Sequence, residues 1–120
     1  MDMNLTDVGV LRAGGTYKCS KNDILITQVS EDSSPLPSGI PSYNIVILNA
    51  CASECNISNI HVNCDWFSSA ITINPSVFRR LRYNDCLVND GKPLRAGESL
   101  IFQYANGDHY SLSVSSVDCL

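Results

Sequence analysis

The sequence predicts an all-β fold, a disulfide-stabilised antiparallel β-sandwich of immunoglobulin-like size with at most one short helical turn, and three observations predict it. Short runs alternate apolar and polar residues with a period of two, the spacing that sends side chains to opposite faces of a strand. Gly-, Pro- and Asn-containing turn signals separate these runs, and no window sustains a 3.6-residue stripe. Six cysteines, Cys19, Cys51, Cys55, Cys64, Cys86 and Cys119, are spread over 120 residues without a Cys-x-x-Cys pair. An even, scattered set reads as three structural disulfides in an exported protein, because cytosolic thiols are kept reduced. Each bridge contributes roughly 2–4 kcal/mol by restricting the unfolded chain. Nothing in the spacing chooses among the pairings.

Taken in chain order, residues 24–29, 44–49, 57–64, 70–74, 99–104 and 110–115 are the predicted strands, with 85–89 a seventh candidate. In 99–104 the residues Leu100, Phe102 and Tyr104 share one side. In 110–115 the residues Tyr110, Leu112 and Val114 face a core while the serines between them face water. Asn106-Gly107-Asp108 is expected to join these two runs as a hairpin. Further turns fall on Pro35, Pro37, Gly39 and Pro41, on Asn89-Asp90-Gly91-Lys92-Pro93, and on Ala96-Gly97-Glu98. The one helical candidate follows Asn74-Pro75, with Asn74 as cap, Pro75 in the first turn, and Val77, Phe78 and Leu81 on one face. Residues 16–120 are read as a single cysteine-rich domain, and residues 1–15 as an amino-terminal extension expected to be disordered.

Composition narrows the function. Hydrophobic residues make up 44% and charged ones 17%, which excludes a disordered chain. A formal net charge of −4 excludes general nucleic-acid binding, which needs surplus Lys and Arg. The charge is uneven, since no Lys or Arg occurs from residue 22 to 78 and five basic residues, Arg79, Arg80, Arg82, Lys92 and Arg95, then follow closely. Such polarity suits a surface that steers a charged partner. No apolar run reaches the ~18 residues of a membrane helix. Residues 1–15 hold no apolar signal core, so a targeting segment is expected to have been removed from an exported protein. Asn4-Leu5-Thr6 and Asn56-Ile57-Ser58 are glycosylation sequons, making Asn4 and Asn56 the candidate sites.

No catalytic constellation assembles, and no cofactor or metal site is predicted. His61 and His109 are the only histidines, and alternation points His61 away from Ile60 and Val62. His61 with Cys64 lacks the second ligand pair of a zinc site, and Asp85 and Asp90 lack a calcium loop's remaining ligands. The one Trp, Trp66, adjoins Phe67, so one ring is expected to enter the core while the other meets solvent or a partner.

Longer stretches carry a family pattern. Leu36-Pro37-Ser38-Gly39-Ile40-Pro41-Ser42-Tyr43, Asn59-Ile60-His61-Val62-Asn63-Cys64-Asp65-Trp66-Phe67-Ser68-Ser69, Ile73-Asn74-Pro75-Ser76-Val77-Phe78-Arg79-Arg80-Leu81-Arg82-Tyr83 and Asp85-Cys86-Leu87-Val88-Asn89-Asp90-Gly91-Lys92-Pro93-Leu94 closely resemble the plant tapetum determinant family. The likeness runs from about Cys19 to Cys119 and includes all six cysteines. Two positions depart from it. Asp65 stands where the best-known members carry Gly, and Asn84-Asp85 where they carry a pair of Asp.

The resemblance implies a small secreted signalling ligand for the ectodomain of a leucine-rich-repeat receptor kinase. The implied receptor is of the excess-microsporocytes type, acting with somatic-embryogenesis receptor kinase co-receptors in anther cell-fate specification. Trp66, Phe67, Arg79, Arg80, Arg82 and Tyr83 are the candidate receptor contacts, aromatics as anchors and arginines for steering. The alternative is a secreted module binding cell-wall polysaccharide, which would need two or three coplanar aromatics on one sheet face.

Overall fold

The computed structural model describes residues 19–30 and 39–119. The expectations for residues 1–15, for the Asn4 sequon and for Pro35 and Pro37 lie outside the described residues. Among these residues seven strands form: β1 (Ile24–Ser30), β2 (Ser42–Asn49), β3 (Ile57–Asn63), β4 (Phe78–Arg82), β5 (Asp85–Val88), β6 (Ser99–Ala105) and β7 (Ser113–Cys119). Two single 3-10 turns, Lys21–Asp23 and Asn89–Gly91, are the helical content. The strands make two antiparallel sheets, β1-β2-β6 and β4-β5-β3-β7. Their inward residues form one core that includes Ile45, Ile47, Ile60, Val62, Phe78, Val88, Phe102 and Tyr104. This is the sandwich that alternation predicts, since each sheet hides one apolar face against the other.

Three bridges lock the ends. Cys19–Cys51 ties the entry to β1 to the exit of β2, Cys55–Cys119 joins the entry of β3 to the last residue of β7, and Cys64–Cys86 joins the exit of β3 to β5. Their Cα–Cα separations of 5.8, 5.9 and 6.1 Å are those of ordinary disulfides. Between the first two bridges the fully buried Asn49 works as a polar rivet. Its amide donates to the carbonyls of Cys55 (3.0 Å) and Leu94 (2.8 Å), and its Oδ1 accepts from the Cys51 N–H at 2.9 Å. A buried amide so completely bonded avoids the cost of desolvated, unpaired polar atoms.

Three local expectations are corrected. Residues 70–74 are not a strand. Ile73 packs on the core, but the segment makes only an Ala70 N–H to Ala105 carbonyl bond of 2.8 Å to the edge of β6, with no ladder. The segment after Asn74-Pro75 is one turn, closed by the Val77 N–H to Asn74 carbonyl bond of 2.9 Å, and passes directly into β4. The helix is overridden because Phe78 stacks on Phe102 at 4.5 Å across the sandwich while β4 pairs with β5. The hairpin through Asn106-Gly107-Asp108 does not form, because β6 and β7 belong to different sheets. Tyr110 lies in the crossing segment, where its N–H donates to the Tyr104 hydroxyl (2.9 Å) and its carbonyl accepts from the Gln28 amide (2.8 Å). Those bonds replace the missing ladder.

Candidate functional site

Two tight turns, 19 residues apart, build one exposed corner of the four-stranded sheet. The first leaves β3 through Cys64, with Asp65 at φ 52; the second joins β4 to β5, with Asn84 at φ 60. Asp and Asn tolerate this left-handed conformation better than most residues. The Asp65 N–H donates to Asn84 Oδ1 at 2.9 Å, and the Asn84 N–H donates to the Asp65 carbonyl at 2.7 Å. This reciprocal clamp, with the Cys64–Cys86 bridge beneath it, fixes what the turns display.

They display an aromatic pair. Trp66 and Tyr83 lie 4.8 Å apart at a 50° tilt, and they are 62% and 53% exposed. The Arg80 guanidinium sits 5.1 Å from the centre of the Trp66 ring, in cation–π range, while its Nε donates to the Phe67 carbonyl at 3.1 Å. Leu81, also exposed, extends the apolar surface along β4. Phe67 turns the other way. Its ring is buried against Phe78, Tyr104 and Tyr110 at 5.0–5.1 Å, and the Tyr110 hydroxyl donates to the Trp66 carbonyl at 3.3 Å. The corner is therefore pinned to the core through the residue beside the exposed indole.

Of the predicted contact residues, the structure brings Trp66, Tyr83 and Arg80 together. Phe67 is core, and its ring is removed from the surface. Arg79 is tied to Asp90 at 2.8 Å and to the Pro75 carbonyl at 3.1 Å. Arg82 pairs with Asp85, whose other oxygen lies 2.7 Å from His61 Nδ1. His61 thus shares the Asp85 carboxylate with Arg82. Asn56 is exposed at the entry to β3. Leu81 and the Asp65–Asn84 clamp escape sequence reasoning; two left-handed Asp/Asn turns were a weak signal, and nothing in the chain announces that they meet.

Among the described residues, the groups close enough to share a metal ion are built on disulfide cysteines. The sulfurs of Cys19, Cys55 and Cys119 lie within 4.8 Å of one another, but all are oxidised and offer no thiolate. A groove of about 560 Å³ runs past Asn56, Lys92, Arg95 and Glu98. There the Arg95 N–H, at 2.7 Å, and secondarily its guanidinium hold the Glu98 carboxyl below its ordinary range. The exposed rings of Trp66 and Tyr83 are not coplanar and stand on turns, which departs from the flat platform of the polysaccharide alternative.

By class the chain is a disulfide-locked antiparallel β-sandwich with an exposed aromatic and cationic corner. Residues 20–120 match the family model described as Tapetum determinant 1, C-terminal, and the chain belongs to that family. It is 61% identical over 101 residues to TPD1 protein homolog 1 of Arabidopsis thaliana, covering 84% of this chain and 55% of the relative. To TPD1 protein homolog 1A of Oryza sativa subsp. japonica it is 50% identical over 93 residues, covering 72% and 41%. To TPD1 protein homolog 1B of the same rice it is 40% identical over 101 residues, covering 84% and 58%. The chain spans about half the length of the curated relatives it matches. The comparison with solved structures finds no match.

Proposed function

We propose that this chain is the recognition domain of a secreted, non-enzymatic signalling ligand, which docks on the ectodomain of a leucine-rich-repeat receptor kinase in tapetum cell-fate signalling. Family membership supports the signalling role, and three disulfides support an extracellular setting. No helix among the described residues is long and apolar enough to cross a membrane. The observation that carries the docking mode is the Trp66–Tyr83 pair, exposed yet held by a backbone clamp and a bridge. Rings ordered before binding lose little freedom on binding, which is what an interface anchor needs. The test is biolayer interferometry of the oxidised protein against a panel of leucine-rich-repeat receptor-kinase ectodomains. Saturable binding to one or a few is expected. Retention on insoluble wall glycans with no ectodomain bound would overturn the reading.

A further inference from the structure

The four described arginines are not equivalent. Arg79, Arg82 and Arg95 each hold a carboxylate of this chain, those of Asp90, Asp85 and Glu98. Arg80 holds none among the described residues. Its Nε is occupied by the Phe67 carbonyl at 3.1 Å and its guanidinium carbon lies 5.1 Å from the centre of the Trp66 ring, so among the described residues the two Nη groups hold no carboxylate. Asp65, in the same turn as Trp66, makes no ion pair to Arg80. An arginine already oriented at one nitrogen and placed against an exposed indole has lost part of its rotamer freedom before a partner arrives. At Arg79, Arg82 and Arg95 a carboxylate of this chain already offsets the charge.

We propose that Arg80 is the charged anchor of the corner, taking a carboxylate side chain of the partner protein on its Nη groups while Trp66 and Tyr83 cover apolar surface beside that carboxylate. The inference rests on the docking reading above and specifies the chemistry of the surface that docks. That surface presents an acidic residue within an apolar rim. Covering the pair with the rings excludes water and strengthens the charge-assisted bonds relative to an open surface pair. Arg79 and Arg82, by contrast, are structural ion-pair residues of the sheet face. Their removal disturbs the sheet locally without removing the anchor.

The test has two readouts. Trp66 is the sole tryptophan, so tryptophan emission, excited where tyrosine does not absorb, reports this corner alone. At low ionic strength, quenching by iodide, an anion drawn to an unneutralised guanidinium, is expected to fall by about half in Arg80→Gln, with neutral acrylamide quenching unchanged. The paired control Arg95→Gln is expected to leave both unchanged. Equal iodide quenching in wild type and Arg80→Gln overturns the inference without reference to any receptor. Against an ectodomain that binds the wild type, Arg80→Glu is expected to weaken affinity about 30-fold or more, Arg80→Lys by less, and Arg79→Gln by no more than about threefold. Undiminished binding of Arg80→Glu overturns the inference while leaving the receptor reading standing. Failure of the wild type to bind any ectodomain removes the receptor reading, and the iodide result alone then decides for or against Arg80.

Discussion

On the three-stranded sheet the outward positions are Leu25, Thr27 and Val29 on β1, Asn44, Val46 and Leu48 on β2, and Ser99, Ile101 and Gln103 on β6, aligned by the register of the strands. None is charged, and Leu25, Val29 and Ile101 are 49%, 51% and 68% exposed. On the four-stranded sheet the outward row runs Arg79, Leu87, His61 and Ser116, with Asp85, Arg82 and Asp90 pairing around it. Both surfaces show apolar side chains to water, but only the second leads to a corner where the apolar groups are rings held by hydrogen bonds, a disulfide and a cation. Scattered exposed aliphatics are ordinary on protein surfaces and carry no specificity by themselves. What separates the two sides is how firmly the exposed groups are ordered, which exposure alone does not reveal.

The largest expected effect tests the bridges that create this difference. Replacing Cys64 and Cys86 together by Ala is expected to lower stability by about 3 kcal/mol and to release the corner, so that ectodomain binding is lost. Replacing Cys19 and Cys51 costs a similar stability but lies at the end of the other sheet, and binding by the remaining folded protein is expected to persist. Denaturant titration paired with interferometry separates the two. Equal loss of binding in both would erase the distinction between the sheets.

Asn49→Ala is next, expected to cost about 2–3 kcal/mol, because the carbonyls of Cys55 and Leu94 and the Cys51 N–H lose a buried partner. Urea unfolding measures it. Trp66 fluorescence in the folded protein should not move, since Asn49 does not touch the corner.

Trp66→Ala and Ile101→Ser remove comparably exposed apolar groups from the two sides. Each is expected to change stability by less than about 1 kcal/mol. Only Trp66→Ala is expected to weaken ectodomain binding, by about 30-fold, read as a faster dissociation rate. An equal effect of Ile101→Ser would bring the three-stranded sheet into the interface.

Between the sheets, burial pushes the Tyr104 phenol above its ordinary range, where it donates to Gln28 Oε1 at 2.5 Å. The unfolded chain ionises this group near pH 10 while the folded state holds its proton. Its contribution is therefore complete below the unfolded value and is lost as pH rises through and above it. Urea midpoints between pH 9 and 11 should fall, and Tyr104→Phe should flatten that fall.

The smallest effect concerns the position where the resemblance places Gly. Asp65→Gly suits φ 52 and is expected to change stability by less than about 1 kcal/mol. It removes a carboxylate beside the anchor, so association with an acidic partner surface should quicken by about threefold at low salt.

Much of this was readable in the chain. Alternation in 99–104 placed Phe102 and Tyr104 inside, adjacency of Trp66 and Phe67 anticipated one ring out and one in, and six scattered cysteines announced three bridges. What escaped depends on partners distant in sequence. Val77, Phe78 and Leu81 carry helical spacing, and only the stack of Phe78 on Phe102 and the pairing with β5 make that stretch a strand. Asn106-Gly107-Asp108 look like a hairpin turn, yet Tyr104 and Gln28 capture Tyr110 and the chain crosses to the other sheet. Four clustered arginines looked alike until Asp90, Asp85 and Glu98 were found to claim three of them. Charge pattern shows that cations are present, and geometry shows which one is still available.

Hydrogen exchange of the oxidised protein with and without its bound ectodomain tests the central claim most directly, since it reports both sides of the sandwich in one measurement. Protection is expected in peptides spanning residues 64–68 and 79–85, with the Ile24–Ser30 strand unchanged. Protection confined to Ile24–Ser30 and Ser99–Ala105, with the Trp66 turn unchanged, would contradict it.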